Sequence, residues 1–155
     1  MADIVDYKML VDGDWIGASD GKTFDSINPA TGQVWARAPE ATAADVDTAV
    51  RAADRAFNDG PWAKMSPTER GHCLRRLAEL LADQSEQLGH TEAVDTGKML
   101  KETRWQAKYI SEFFHFYAGC ADKIHGDTLP IDKPDLFVFT DREPPGVIAA
   151  IVPWN

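Results

Sequence analysis

The sequence predicts an α/β fold, and three observations carry that prediction. Short runs of strand composition, punctuated by turn residues, fill the first forty positions. Three long stretches with helical apolar spacing follow. The chain then closes on Val147-Ile148-Ala149-Ala150-Ile151-Val152, apolar on both faces, which is the pattern of a strand buried inside a parallel sheet.

The elements can be justified in order. Tyr7 to Val11 and Trp15-Ile16 flank Asp12-Gly13, a two-residue hairpin signal because glycine takes positive φ without steric penalty. Asn28-Pro29-Ala30-Thr31-Gly32 is a turn, with proline fixing φ and glycine closing it, and Gln33 to Ala38 is a further short strand. A first helix starts near Thr42, with Asp45 three residues on as an acidic capping box. Its stripe Val46, Val50, Ala53, Phe57 runs to Gly60-Pro61. A second opens at Ser66-Pro67-Thr68-Glu69, where an N-cap serine, a proline at the first helical position and a glutamate at the third coincide. Leu74, Leu77, Leu81 and Leu88 give it a buried face, and Gly97 stops it. The third spans about Leu100 to Ile124, with Ile110, Phe113, Phe114, Tyr117, Ala121 and Ile124 on one side. Beyond Gly126, Leu136 to Thr140 is rich in β-formers, and Pro144-Pro145-Gly146 breaks it before the terminal strand. A parallel strand needs a crossover and neighbours of its own. None is encoded after Asn155, so the chain reads as a fragment of a larger α/β unit.

Composition narrows the function classes. With 155 residues, 44% apolar and 26% charged, this is an ordinary globular sequence with room for one core. A formal net charge of -9 argues against a nucleic-acid partner, since phosphates attract basic surfaces. No basic n-region with an apolar core opens the chain, and no apolar run approaches membrane-spanning length. Cys73 and Cys120 lack CxxC spacing and lie in helical stretches, where they read as reduced, buried core residues, so a cytoplasmic protein without a membrane role is expected. His72, His90, His115 and His125 have no metal-ligand spacing, and there is no G-x-G-x-x-G.

Four stretches, taken together and in register, are specific. Phe24-Asp25-Ser26-Ile27-Asn28-Pro29-Ala30-Thr31-Gly32 is followed by Asp95-Thr96-Gly97-Lys98, then by Tyr117-Ala118-Gly119 with Ala121-Asp122-Lys123-Ile124-His125-Gly126. Last come Arg142-Glu143-Pro144-Pro145-Gly146-Val147 and Ile151-Val152-Pro153-Trp154-Asn155. In that order they resemble the N-terminal segment of the aldehyde dehydrogenase family, from about Tyr7 to the end. The resemblance implies an α/β fold divided into strands and helices of the cofactor-binding domain (1–125), an oligomerisation strand segment (126–145) and the truncated first strand of a Rossmann-like dinucleotide-binding sheet (146–155).

It also implies site residues. Asn155 matches the family's oxyanion donor, an amide that donates without bringing a titrating charge. Ile151, Val152 and Trp154 match positions lining the cleft for NAD or NADP, as expected at the carboxyl ends of strands in open sheets. Ser26, Ile27 and Asp95 match positions that hold a monovalent cation in several members, through carbonyls and one carboxylate. Each has a plainer reading: a strand-end turn for Asn155, core packing for Ile151 and Val152, a helix end for Asp95. Neither Cys73 nor Cys120 matches the nucleophile, and the general-base glutamate is also absent from this stretch. The aromatic cluster from Trp105 to Tyr117 includes positions matching the aldehyde tunnel, although helical spacing favours core packing for most. The expected partners are an aldehyde and, for the intact protein, further copies of itself as a dimer or tetramer. The 155 residues alone are expected to be inactive. A helical module retained for packing or partner binding is the alternative.

Overall fold

The computed structural model describes residues 4–152. Its N-terminal strands follow the turn chemistry. β1 (Val5–Asp6) leads into a hairpin of β2 (Met9–Val11) and β3 (Asp14–Ile16), which pair antiparallel. Between them Asp12 (φ 54°) and Gly13 (φ 87°) both take positive φ, the requirement of a type I′ turn. β4 (Thr23–Asn28), which the composition did not single out as a strand, pairs antiparallel with β5 (Gln33–Pro39). β1 adds to the other edge of β5 in parallel, giving the order β1-β5-β4. The Asn28–Gly32 turn closes as expected: Gly32 N–H donates to the Asn28 carbonyl at 2.8 Å, and the Asn28 side chain accepts from Ala30 N–H at 2.9 Å.

α1 (Ala43–Asp59) begins with the expected capping box at Thr42 and Asp45 and ends at Gly60; a single turn, α2 (Pro61–Lys64), follows. Asp45 does more than cap, because it also accepts the Ser19 backbone N–H and so fastens the β3–β4 loop to the helix start. The N–H of Thr42, then that of Ser19, hold its carboxyl down at about 2 from 3.8. α3 (Pro67–Asp83) carries the Ser66–Glu69 box.

The second expected helix is in fact two. At Gln84 the backbone (φ -96°, ψ 6°) leaves the helical region, and α4 (Ser85–Thr96) restarts and ends on left-handed Gly97. Asp83, Gln84 and Ser85 are polar, and Asp and Ser are weak helix formers that compete for backbone hydrogen bonds. After the break α4 lies against β4 of the sheet. α5 (Leu100–Cys120) ends four residues before Ile124.

α5 packs on α3 and α4 through small side chains. Thr103, Ala107, Ser111 and Ala118 are its buried residues, facing helices whose buried residues are Gly71, Ala78, Ser85 and Gly89. Most of the larger apolar face expected to be buried is turned outward: Ile110, Phe113 and Tyr117 are 44%, 53% and 60% exposed and Ile124 beyond the helix 69%, while Phe114 and Ala121 are half-buried. Small residues win the contact because they let helix backbones approach closely, which bulky rings forbid. The stripe of α1 is likewise open at Val46, Val50 and Phe57.

Downstream, β6 (Thr128–Leu129) pairs antiparallel with β7 (Val138–Phe139), so the expected strand over Leu136–Thr140 is reduced to two paired residues. No strand forms over 147–152 within the described residues, and Ile148, Ile151 and Val152 are exposed. The physical reason is the deficit noted in the sequence: a central strand without parallel neighbours has no ladder to join. The surface as a whole is large, with exposed apolar side chains from Ile4 to Val152. It exposes 12278 Å² for 17.1 kDa, against about 7,700 Å² for a folded monomer of that mass.

Candidate functional site

Two distant motifs meet where α4 lies against the sheet. Gly97 occurs at φ 76°, and a Cβ there would come within 2.7 Å of the Pro29 ring, so the 28–32 turn rests on the end of α4. Two residues earlier, Asp95 Oδ1 accepts a hydrogen bond from Ser26 Oγ at 2.5 Å, although 69 residues separate them. Ser26 Oγ in turn accepts from Trp35 Nε1 at 2.9 Å. A register shift between Ser26 and Ile27 leaves Trp35 without a partner on β4, the geometry of a bulge that re-aims a side chain. Tyr7 meets the Trp35 indole edge-on, with centroids 6.0 Å apart.

Beside this network runs a cleft of about 490 Å³ between sheet and helix, walled by Tyr7, Phe24, Trp35 and Leu88 with Glu92 and Asp95 at its polar edge. Glu92 is already paired, its Oε1 lying 2.7 Å from Lys98 Nζ. The structure thus brings Ser26 and Asp95 together. Ile27 is the next residue on β4, with its side chain 55% exposed.

Asp95 contributes the one carboxylate of the expected set, and its Oδ1 accepts the Ser26 proton. Among the described residues no group of three His, Cys, Asp or Glu side chains could hold a metal ion. Sequence reasoning missed Trp35 altogether; its one signal was an indole in a strand that also carries an arginine and alanines, where a buried N–H needs an acceptor.

The expected cofactor-lining residues are not gathered. Ile151 and Val152 are 91% and 74% exposed. Pro153, Trp154 and Asn155 lie outside the described residues. A second groove, about 680 Å³, separates α1 at Val50 and Phe57 from Pro145-Gly146-Val147. Both cysteines are free, but neither is the buried core residue expected from its helical neighbours: Cys73 is exposed and Cys120 partly so. On α5 the outward rings form a ladder, Trp105 stacked on Tyr109 at 5.0 Å and Tyr109 edge-on to Phe113 at 5.4 Å. No helix among the described residues is long and apolar enough to cross a membrane.

Residues 15–155 match the model of the aldehyde dehydrogenase family. A (Z)-2-((N-methylformamido)methylene)-5-hydroxybutyrolactone dehydrogenase of Acinetobacter baylyi is 49% identical over 132 residues, which are 85% of this chain and 27% of that protein. The mitochondrial benzaldehyde dehydrogenase of Antirrhinum majus is 40% identical over 96% of this chain and 28% of its own. Among solved structures, an NAD+ complex of an aldehyde dehydrogenase from Bacillus cereus superposes with a TM-score of 0.84 at 40% identity, over 90% of this chain and 28% of that one. An NAD-dependent aldehyde dehydrogenase from Sinorhizobium meliloti gives 0.81 at 34% identity, over 87% and 27%. The chain therefore spans little more than a quarter of the length of these proteins.

Proposed function

The chain belongs to the aldehyde dehydrogenase family, and from that premise we propose that it is the N-terminal part of an NAD(P)-dependent enzyme oxidising an aldehyde to a carboxylic acid. The carrying observation is the family match over residues 15–155 together with its position at little more than a quarter of the relatives' length. The large open surface supports the same reading. Exposed faces of α1 and α5 and the unpaired 147–152 run are what a segment leaves bare when the body it packs against lies elsewhere.

In this reading the reaction centre draws one group from the present sequence. Asn155 donates its side-chain amide to the aldehyde oxygen as a cysteine thiolate from elsewhere in the protein attacks the carbonyl. The donor is aimed where negative charge develops, so it stabilises the transition state more than the substrate. NAD or NADP, when bound, supplies the hydride acceptor. Ile151, Val152 and Trp154 line its cleft, with Ile151 and Val152 joining the sheet only once their strand has neighbours. The β6–β7 pair, with Phe137 and Phe139 mostly exposed, serves contacts between copies of the intact protein, a dimer or tetramer. The protein works in the cytoplasm.

Kinetics of the intact enzyme test the reading. Asn155→Ala should lower kcat by about 10²-fold or more, with acylation or hydride transfer as the limiting step. Unchanged kcat under that condition refutes the assignment. The 155-residue chain alone should reduce no NAD+ in the presence of aldehyde, and robust turnover by it overturns the proposed division of labour.

A further inference from the structure

The cleft between the sheet and α4 has a chemistry that the proposed reaction does not use. We infer that it binds a primary ammonium ion carrying an apolar tail, an alkylamine or arylalkylamine, with the ammonium at Asp95 and the tail between Phe24 and Leu88. None of the residues assigned to the oxyanion or the cofactor takes part, so the site goes beyond the proposed reaction.

Two contacts fix the shape of the cleft. Asp95 meets Ser26 and Gly97 approaches Pro29, so β4 and α4 run in the same direction. Phe24 and Leu88, each earlier in its element, therefore fall together at the opposite end. Phe24 and Ser26 share one face of β4, and their partners on β5, Ala38 and Ala36, are small. Those alanines leave a floor beside which Tyr7, Phe24 and Trp35 stand as aromatic walls. Leu88, Thr91, Glu92 and Asp95 recur at the spacing of one helix face and close the other side. At about 490 Å³ the space suits a small organic molecule and is far larger than a bare ion fills.

Charge decides what the polar end takes. Arg37, which also lines the cleft, is paired with Asp25, and Glu92 is paired with Lys98. Asp95 has no cationic partner among the described residues, which leaves the cleft one uncompensated negative charge. A primary ammonium brings three N–H donors, and Thr91, Glu92 and Asp95 present oxygens within about one turn of α4 to receive them. The Trp35 ring, joined to Asp95 through Ser26, adds a π system that attracts cations. An anion would be repelled by Asp95, and a neutral ligand would gain nothing from its charge.

Calorimetric titration of the full protein tests the site, with 2-phenylethylammonium as probe and 2-phenylethanol and phenylacetate as its neutral and anionic counterparts. The ammonium should bind at least about tenfold more tightly than either counterpart, the factor that a hydrogen bond to a charged group supplies. Asp95→Asn keeps an oxygen to accept from Ser26 and removes the charge. It should weaken the ammonium at least about tenfold and leave 2-phenylethanol unaffected. Phe24→Ala, at an exposed position, should weaken 2-phenylethylammonium about tenfold and leave methylammonium, which has no such tail, unaffected. Titrations of the probe in potassium chloride and in lithium chloride at equal ionic strength should agree. Absence of binding, equal binding of 2-phenylethanol, or indifference to Asp95→Asn or to Phe24→Ala overturns the assignment. Displacement of the probe by potassium in preference to lithium overturns it too and gives the polar end to an inorganic cation.

Discussion

Gly89 allows the packing of α4 on α5 to be tested by a single methyl group. A Cβ at this position would lie 2.6 Å from Arg104 Cα and 2.7 Å from Arg104 N. Both atoms are α5 backbone, so no rotamer change relieves the contact. Reaching ordinary contact at 3.4 Å requires the helices to separate by about 0.8 Å, the difference between the two distances. That movement would loosen Thr103 and Ala107, which are 0% and 4% exposed. Overpacking of this kind costs about 1–3 kcal/mol, while replacing a helical glycine with alanine returns about 1 kcal/mol. Gly89→Ala should therefore be destabilised by a net of up to about 2 kcal/mol. Gly119, on α5, supplies the control because a Cβ there has nothing within 4 Å. Gly119→Ala should gain up to about 1 kcal/mol from helix propensity alone. Urea unfolding reads the difference: with a slope of about 1–3 kcal/mol per molar, the two variants should separate by roughly 1 M in midpoint, on opposite sides of wild type. A Gly89→Ala midpoint at or above wild type would refute the close-approach argument.

Two further outcomes follow from the same geometry. Gly97→Ala combines a left-handed residue (φ 76°) with a 2.7 Å approach to the Pro29 ring, so it should lose about 1–2 kcal/mol in the same unfolding assay; an unchanged midpoint would detach the 28–32 turn from α4. Asp45 has a folded-state pKa depressed to about 2 from 3.8. Its contribution is therefore present above about 4 and drains away as pH falls toward 2. The midpoint of the wild type should fall over that window more steeply than that of Asp45→Asn, and parallel pH profiles would contradict the assigned hydrogen bonds.

Local chemistry made much of the fold legible. Thr42–Asp45 and Ser66–Glu69 announce helix starts because a cap satisfies orphan N–H groups with atoms three residues away, and both boxes form. Asp12-Gly13 and Gly97 mark positions where positive φ is required, and both adopt it. The break at Gln84 was hidden, since no proline or glycine marks it and the leucine spacing runs through it. The buried face of α5 was misread for a related reason. Periodicity records where apolar groups lie, and both its aromatic and its small-residue faces have helical period. Of the candidate site, Ser26 and Asp95 were legible only through family resemblance, and Trp35 was invisible because its acceptor lies across a bulge.

The sequence by itself determined the family, the helix and turn boundaries governed by caps, and the terminal run Ile151 to Asn155 that carries the oxyanion amide in the proposed function. These are properties of near neighbours along the chain. The tertiary structure alone decided which face of α5 turns inward, that α4 leaves the line of α3, and that a strand indole, a serine and a helix carboxylate share one hydrogen-bond network. Those outcomes depend on how closely backbones can approach and on which donor reaches which acceptor, distances that no spacing along the chain encodes.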